Sequence, residues 1–133
     1  MTTFVDTSAL YAVLDRDDER HEAARKTWTR ILSEDAPLLT SNYVLVESFA
    51  LIQSRLGMEA LRTFSDAVLP VIRVHWVSEE DHRTGAQAVL AADRRGLSLV
   101  DCVSFHVMRR LRVREVFAFD RHFDEQGFRV VPS

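Results

Sequence analysis

Cysteine, lysine, glycine and proline are all scarce in this chain of 133 residues, and each scarcity excludes something. A single cysteine, Cys102, rules out a disulfide framework and a zinc cluster built on thiolates. That usage fits a reducing compartment. Four Gly and three Pro exclude a collagenous or low-complexity chain. No apolar run approaches the roughly 20 residues that span a bilayer. Met1-Thr2-Thr3-Phe4 does not read as a signal peptide, so the expected setting is cytoplasmic, with no membrane partner. Lys26 is the only lysine among 17 basic residues, so mechanisms needing an active-site lysine have one candidate. With 20 acidic residues the net charge is −3, which argues against a generic polyanion binder. What is present is globular material: 47% hydrophobic against 28% charged residues supports one core, and one domain over residues 1–133 is expected.

No repeat or linker interrupts the pattern. Thr3-Phe4-Val5 reads as a short strand ending at Asp6, followed by a helix from Ser8 to Leu14. An acidic break at Asp15 to Asp18 opens a longer helix in which Ala23, Ala24, Trp28, Ile31 and Leu32 recur at helical spacing. Pro37-Leu38-Leu39-Thr40 is a second strand, and Ser41 or Asn42 can cap a helix from Tyr43 to Leu56 that stops at Gly57. A further helix is expected from Met58 to about Leu69, closed by Pro70. Ile72 to Val77 is the third strand, and Ser78-Glu79-Glu80-Asp81 resembles a capping box for a helix running to Arg95. Ser98 can cap another through Leu111, and Val116-Phe117-Ala118-Phe119 is a fourth strand ending at Asp120. Phe128 to Val131 is the last strand, entered through Gly127. Strands alternating with helices predict a three-layer α/β domain with a parallel sheet covered on both faces.

In such sheets ligands bind beyond the carboxyl ends of the strands. Two strands end in the same way, Phe4-Val5-Asp6 and Ala118-Phe119-Asp120. Each Asp can equally be a helix cap. Glu47 sits in the helix Tyr43 to Ile52, which is apolar nearly all round and so predicted mostly buried. A buried carboxylate needs a partner, either an Arg or a cation. Asp101 lies in the apolar run Leu99 to Phe105, and Ser98-x-x-Asp101 also has capping-box spacing. Four acids converging on one edge would call for a hard divalent cation, Mg2+ or Mn2+. The histidines His21, His75, His82, His106 and His122 show no ligand spacing, and His75 reads as a solvated or hydrogen-bonded strand residue.

Taken in order, Phe4-Val5-Asp6-Thr7-Ser8-Ala9-Leu10, the lone Glu47, Leu97-Ser98-Leu99-Val100-Asp101, and Phe117-Ala118-Phe119-Asp120-Arg121-His122-Phe123 with Gly127-Phe128 resemble the PIN-domain ribonucleases. Within them the likeness is specifically to the VapC toxins of bacterial toxin–antitoxin pairs, over Phe4 to Val131. The resemblance implies a Rossmann-like sheet of about five parallel strands in the order 3-2-1-4-5, and a Mg2+- or Mn2+-dependent endoribonuclease acting on transfer or ribosomal RNA. Asp6, Glu47, Asp101 and Asp120 match the family's acidic quartet, with Thr7 and Ser8 at its small hydroxyl positions. Water attack would leave 5′-phosphate and 3′-hydroxyl ends. Asp124 falls where some members carry an extra acid, and as easily in an exposed loop. Implied partners are an RNA substrate, a cognate VapB-like antitoxin and a second copy of the chain. The helices from Tyr43 to Leu69 are expected to supply the protein contacts.

With the four site acids set aside, basic residues outnumber acidic ones by one. Arg109, Arg110, Arg112 and Arg114 form the densest basic run, read either as a phosphate grip or as a solvated helix end. Two rival classes place Asp at strand ends: aspartyl-phosphate receivers and haloacid-dehalogenase-like phosphatases. The latter need a second Asp two residues on, where Ser8 stands, and both usually need a late lysine that Lys26 does not supply. A non-catalytic interaction module, with its acids serving only as caps, would bind no divalent metal.

Overall fold

Five short strands spread along the chain pair into one parallel sheet, seen in a computed structural model that describes all 133 residues. In chain order the elements are β1 (Thr3–Val5), α1 (Thr7–Leu14), α2 (His21–Ser33), β2 (Leu38–Ser41), α3 (Asn42–Leu56), α4 (Met58–Thr63), β3 (Arg73–His75), α5 (Glu79–Ala92), α6 (Leu99–Arg110), β4 (Glu115–Phe117), α7 (Arg121–Glu125) and β5 (Arg129–Val131). The strand order is β3-β2-β1-β4-β5, all pairs parallel, with Phe4 opposite Leu39 on one side and Val116 on the other. This is the expected 3-2-1-4-5 Rossmann-like order. The central strands β1, β2 and β4 are buried throughout, as a sheet covered on both faces requires, while edge strands β3 and β5 expose Arg73 and Arg129.

Several helices differ from their expected form. In α2 the buried stripe is Ala24, Thr27 and Ile31; Ala23 and Leu32 face solvent because only one side of the helix packs inward, where α1 lies against it. α3 buries only Val44, Ser48 and Ile52, a narrow stripe at fourfold spacing, and leaves Val46 70% exposed. Its apolar character therefore does not translate into burial all round, and Glu47 is half-buried. The helix expected from Met58 to Leu69 keeps regular form only to Thr63; it then widens into a π turn over Phe64–Val68 and tightens into a 3-10 turn at Leu69–Val71. Leu69 N–H reaches back to Phe64 O, which keeps Phe64 and Val68 in the core ahead of Pro70. α7, between Asp120 and Gly127, is an element the hydrophobic pattern did not announce, since five residues are too few for periodicity.

α5 and α6 pack closely because Gly85 presents no side chain. A Cβ there would run into Val103 Cγ2 and approach the Val103 Cα and N to 3.2 Å. Gly85→Ala should push α5 off α6 and cost about 1–3 kcal/mol by urea unfolding. An unchanged midpoint would show that the helices part without strain.

Candidate active site

Parallel strands bring all their carboxyl ends to one edge, and three of the four candidate acids stand there. The β1–β4 ladder continues one residue past β1, with Asp6 N–H donating to Phe117 O at 3.0 Å. Asp6 then caps α1: its Oδ2 accepts the Ser8 backbone N–H at 3.1 Å and the Ser8 hydroxyl at 2.6 Å. The same Ser8 Oγ accepts Phe119 N–H at 2.9 Å, tying the ends of β1 and β4 together. Asp120, after β4, caps α7 by accepting His122 N–H on Oδ1 at 2.9 Å. Asp101 completes a reciprocal capping box on α6: Ser98 Oγ accepts Asp101 N–H, and Asp101 Oδ2 accepts Ser98 N–H at 3.1 Å. In each carboxylate these bonds occupy one oxygen and leave the other without a hydrogen bond. The cap and site roles are thus compatible.

Electrostatics separates these acids from the rest. Four acids are buried: Asp6, Asp81, Asp101 and Glu115. Asp81 accepts from Arg110 Nη1 at 2.9 Å and lies 3.0 Å from His75 Nε2 and from His106 Nε2; Glu115 accepts from Thr3 and faces Arg129 at 3.6 Å. Neither Asp6 nor Asp101 has an Arg or Lys partner. Asp81 and Asp101 occupy the same third position of a Ser-x-x-Asp capping box. Burial alone would raise the Asp81 pKa, but hydrogen bonds from His75, Ser78 and Arg110 outweigh it and hold it below the ordinary carboxylate range. Burial raises that of Asp101, against the Ser98 bonds, and Asp120 adds repulsion. Asp6 is pushed up to about 7, chiefly by burial, with Asp101 and Asp120 adding to it against the Ser8 bonds.

The remaining candidates are placed less uniformly. Asp101, Asp120 and His122 each offer an atom within 4.8 Å of the others; Asp6 and Glu47 are outside that group, and Glu47 makes no hydrogen bond or ion pair. It shares an apolar hollow with Tyr43, Val46 and Val100, the residue preceding Asp101. Thr7 is turned away from the acids: it donates to Val44 O at 3.4 Å and accepts from Ser48 at 3.1 Å, clamping α1 to α3. Asp124 is exposed on α7. The arginine run begins at the far end of α6 from Asp101, about 12–14 Å away along eight or nine residues of helix. There Arg110 is committed to Asp81, and Arg109 bonds Gln126 and lies over Phe128. This run stands at the helix end away from the acids. Arg20, whose guanidinium lies 5.6 Å from the Phe119 ring centroid, and exposed Arg121, next to Asp120, are the cations nearer that edge.

Comparison with known proteins settles the family. The PIN-domain family model matches residues 3–129. The chain belongs to the PIN-domain family. This PIN domain is 33% identical over 126 residues, 94% of each chain, to the 23S rRNA-specific endonuclease VapC20 of Mycobacterium tuberculosis, and is of VapC type. The crystal structure of VapC20, described as a Sarcin–Ricin loop cleaving toxin, superposes with a TM-score of 0.82 at 32% identity over 96% of both chains. FitAcB from Neisseria gonorrhoeae shares the fold, with a TM-score of 0.70 at 16% identity over 98% of this chain and 96% of its own. VapBC2 of Rickettsia felis, bound to a promoter DNA fragment, does so at 0.67 and 10%, over 98% and 97%.

Sequence reasoning passed over His122 in this PIN domain. Its Nδ1 is buried, 3.0 Å from Asp120 Oδ1 and 3.5 Å from Asp101 Oδ2. The available signal was local: in Asp120-Arg121-His122 an N-cap and the second helical residue share the helix end. His75, by contrast, is hydrogen-bonded in the Asp81 cluster, one of the two readings its strand position allowed.

The raised Asp6 pKa fixes the sign of a pH effect. Its folded value near 7 exceeds the unfolded value near 4, so metal-free protein loses stability as pH rises between them, by about 4 kcal/mol in all. Asp6→Asn keeps a cap acceptor and removes the charge. In chelator its stability relative to wild type should be near parity around pH 4 and higher by several kcal/mol above about pH 7. A difference independent of pH in urea unfolding would show that Asp6 ionises as freely as an exposed carboxylate.

Proposed function

We propose that this chain is a divalent-metal-dependent endoribonuclease and the toxin of a VapBC-type pair. The observation that carries the reading is the pair of buried carboxylates, Asp6 and Asp101, gathered with Asp120 at one sheet edge without a lysine or arginine between them. An all-oxygen donor set of this kind, beside a buried nitrogen with no hydrogen-bond partner, fits a small divalent cation such as Mg2+ or Mn2+. VapC20 carries 23S rRNA specificity in its name, and its relation to this chain supports an RNA substrate, ribosomal RNA first.

Asp6, Asp101 and Asp120 would hold the ion through their carboxylate oxygens, a capped oxygen having a second lone pair to offer, with Glu47 reaching the same cleft from α3 directly or through water. When bound, the ion supplies a water of lowered pKa and charge compensation at the phosphate and the leaving oxygen. Ser8 fixes the Asp6 rotamer and the β1–β4 spacing; Thr7 supports from behind by holding α1 on α3. Asp120, the most exposed of the three Asp residues, is suited to orient the attacking water. Attack by water leaves a 5′-phosphate and a 3′-hydroxyl. Arg20 and Arg121 would hold phosphates next to the cut, and Arg112 and Arg114 more distant ones. The face of α3 and α4 with exposed Val46 and Met58 would meet the antitoxin and a second copy of the chain. No helix is long and apolar enough to cross a membrane.

Purified protein should cleave ribosomal RNA, lose that activity in chelator and regain it with Mg2+ or Mn2+. Asp101→Asn should lower the rate at least about a hundredfold while raising metal-free stability, since it removes one of the clustered charges and keeps the cap. A less stable yet fully active Asp101→Asn protein would make Asp101 a cap only. Val46→Glu should shift the sedimentation equilibrium towards monomer; a wild type that is monomeric at every concentration would remove this face as a self-association surface.

A further inference from the structure

His122 is the one nitrogen in a cluster otherwise made of carboxylates. Its Nδ1 is buried and close to two carboxylate oxygens, yet has no hydrogen-bond partner. Both oxygens already accept backbone donors: Asp120 Oδ1 takes His122 N–H, and Asp101 Oδ2 takes Ser98 N–H. A buried nitrogen left unsatisfied is costly, so its position calls for an explanation. The spacing supplies one. An octahedral ion with arms of about 2.1 Å holds adjacent ligand atoms about 3.0 Å apart, and Nδ1 stands 3.0 Å from Asp120 Oδ1. The separation is built into the backbone, because Asp120 caps α7 and His122 is its second residue. Phe123, fully buried and edge-on to Phe105 of α6, holds that short helix against the one bearing Asp101.

We infer that His122 Nδ1 is an inner ligand of the ion held by Asp101 and Asp120, and that this nitrogen makes the site favour a transition ion such as Mn2+ over Mg2+. The inference rests on the metal-site reading proposed above. Mg2+ is hard and gains little when an imidazole replaces water or carboxylate oxygen; first-row transition ions accept imidazole readily. A site of carboxylates alone would lack that bias. His122 thus sets which ion is retained when both are present, while the acids supply the charge that holds either.

The test uses RNA-free protein and Mn2+ itself. Electron paramagnetic resonance follows loss of the free Mn2+ signal, Mg2+ competition gives the second affinity, and pulsed measurement reads nitrogen coupling to bound Mn2+. Wild type should show that coupling, and it should change in frequency when the histidines carry heavy nitrogen. His122→Gln should abolish it and reduce the preference for Mn2+ over Mg2+ about tenfold or more, with Mg2+ affinity nearly unchanged. Bound Mn2+ without nitrogen coupling in wild type, coupling that survives in His122→Gln, or equal weakening of both ions would overturn the inference and leave the carboxylate site standing. Absence of any Mn2+ or Mg2+ binding by wild type would overturn the metal-site reading and the inference together. The labelled wild type needs no substitution, so a variant that fails to fold does not decide the outcome.

Discussion

Uncompensated negative charge at one edge of a parallel sheet is the constraint on which the rest of this structure turns. Asp6 and Asp101 are buried, near one another and near Asp120, and no arginine or lysine neutralises them. A fold of this size tolerates such an arrangement only if the backbone around it is held firmly. Here the β1–β4 ladder runs on to Asp6, Ser8 bridges the two strand ends, and Gly85 lets α5 brace the helix that carries Asp101. The stability given up at the acidic edge is recovered in the apolar layers, where β1, β2 and β4 are buried along their whole length.

Helix capping and ion binding are made from the same side chains. A carboxylate has two oxygens, and an N-cap or capping-box bond needs only one. Asp6, Asp101 and Asp120 each anchor a helix with one oxygen and turn the other free. The caps fix rotamers that a site of several converging acids would otherwise scatter by repulsion. Asp81 shows the same motif without this consequence: in an identical box position, Arg110, His75 and His106 surround it, and it is a structural ion pair. The neighbours, not the motif, decide between the two outcomes.

Residues that sequence reasoning misjudged share a cause: their environment is set by partners distant in the chain. The apolar surface of α3 is only narrowly buried, because just Val44, Ser48 and Ile52 meet the sheet and its neighbours. Thr7 looks local to Asp6 but is claimed by Ser48, 41 residues away. Arg110, read only as part of a basic run, is paired with buried Asp81, 29 residues away. His122 carries no ligand spacing with any other histidine, and only the closing of α7 against α6 brings it to Asp101.

The sequence by itself determined the alternation of strands and helices, the helix caps, and the position of Asp6, Asp101 and Asp120 at a strand end or first helical turn. These are local properties, written in periodicity, capping spacing and the placement of Asp after apolar runs. The resemblance carried by those same residues added the strand order and the acidic quartet. Tertiary structure alone decided which buried carboxylates keep a counterion and which do not, that three capping carboxylates share one edge, and that a histidine nitrogen stands beside two of them. Those facts depend on through-space distance and burial, since a carboxylate's pKa and its affinity for a cation follow from the solvent excluded around it and the charges facing it.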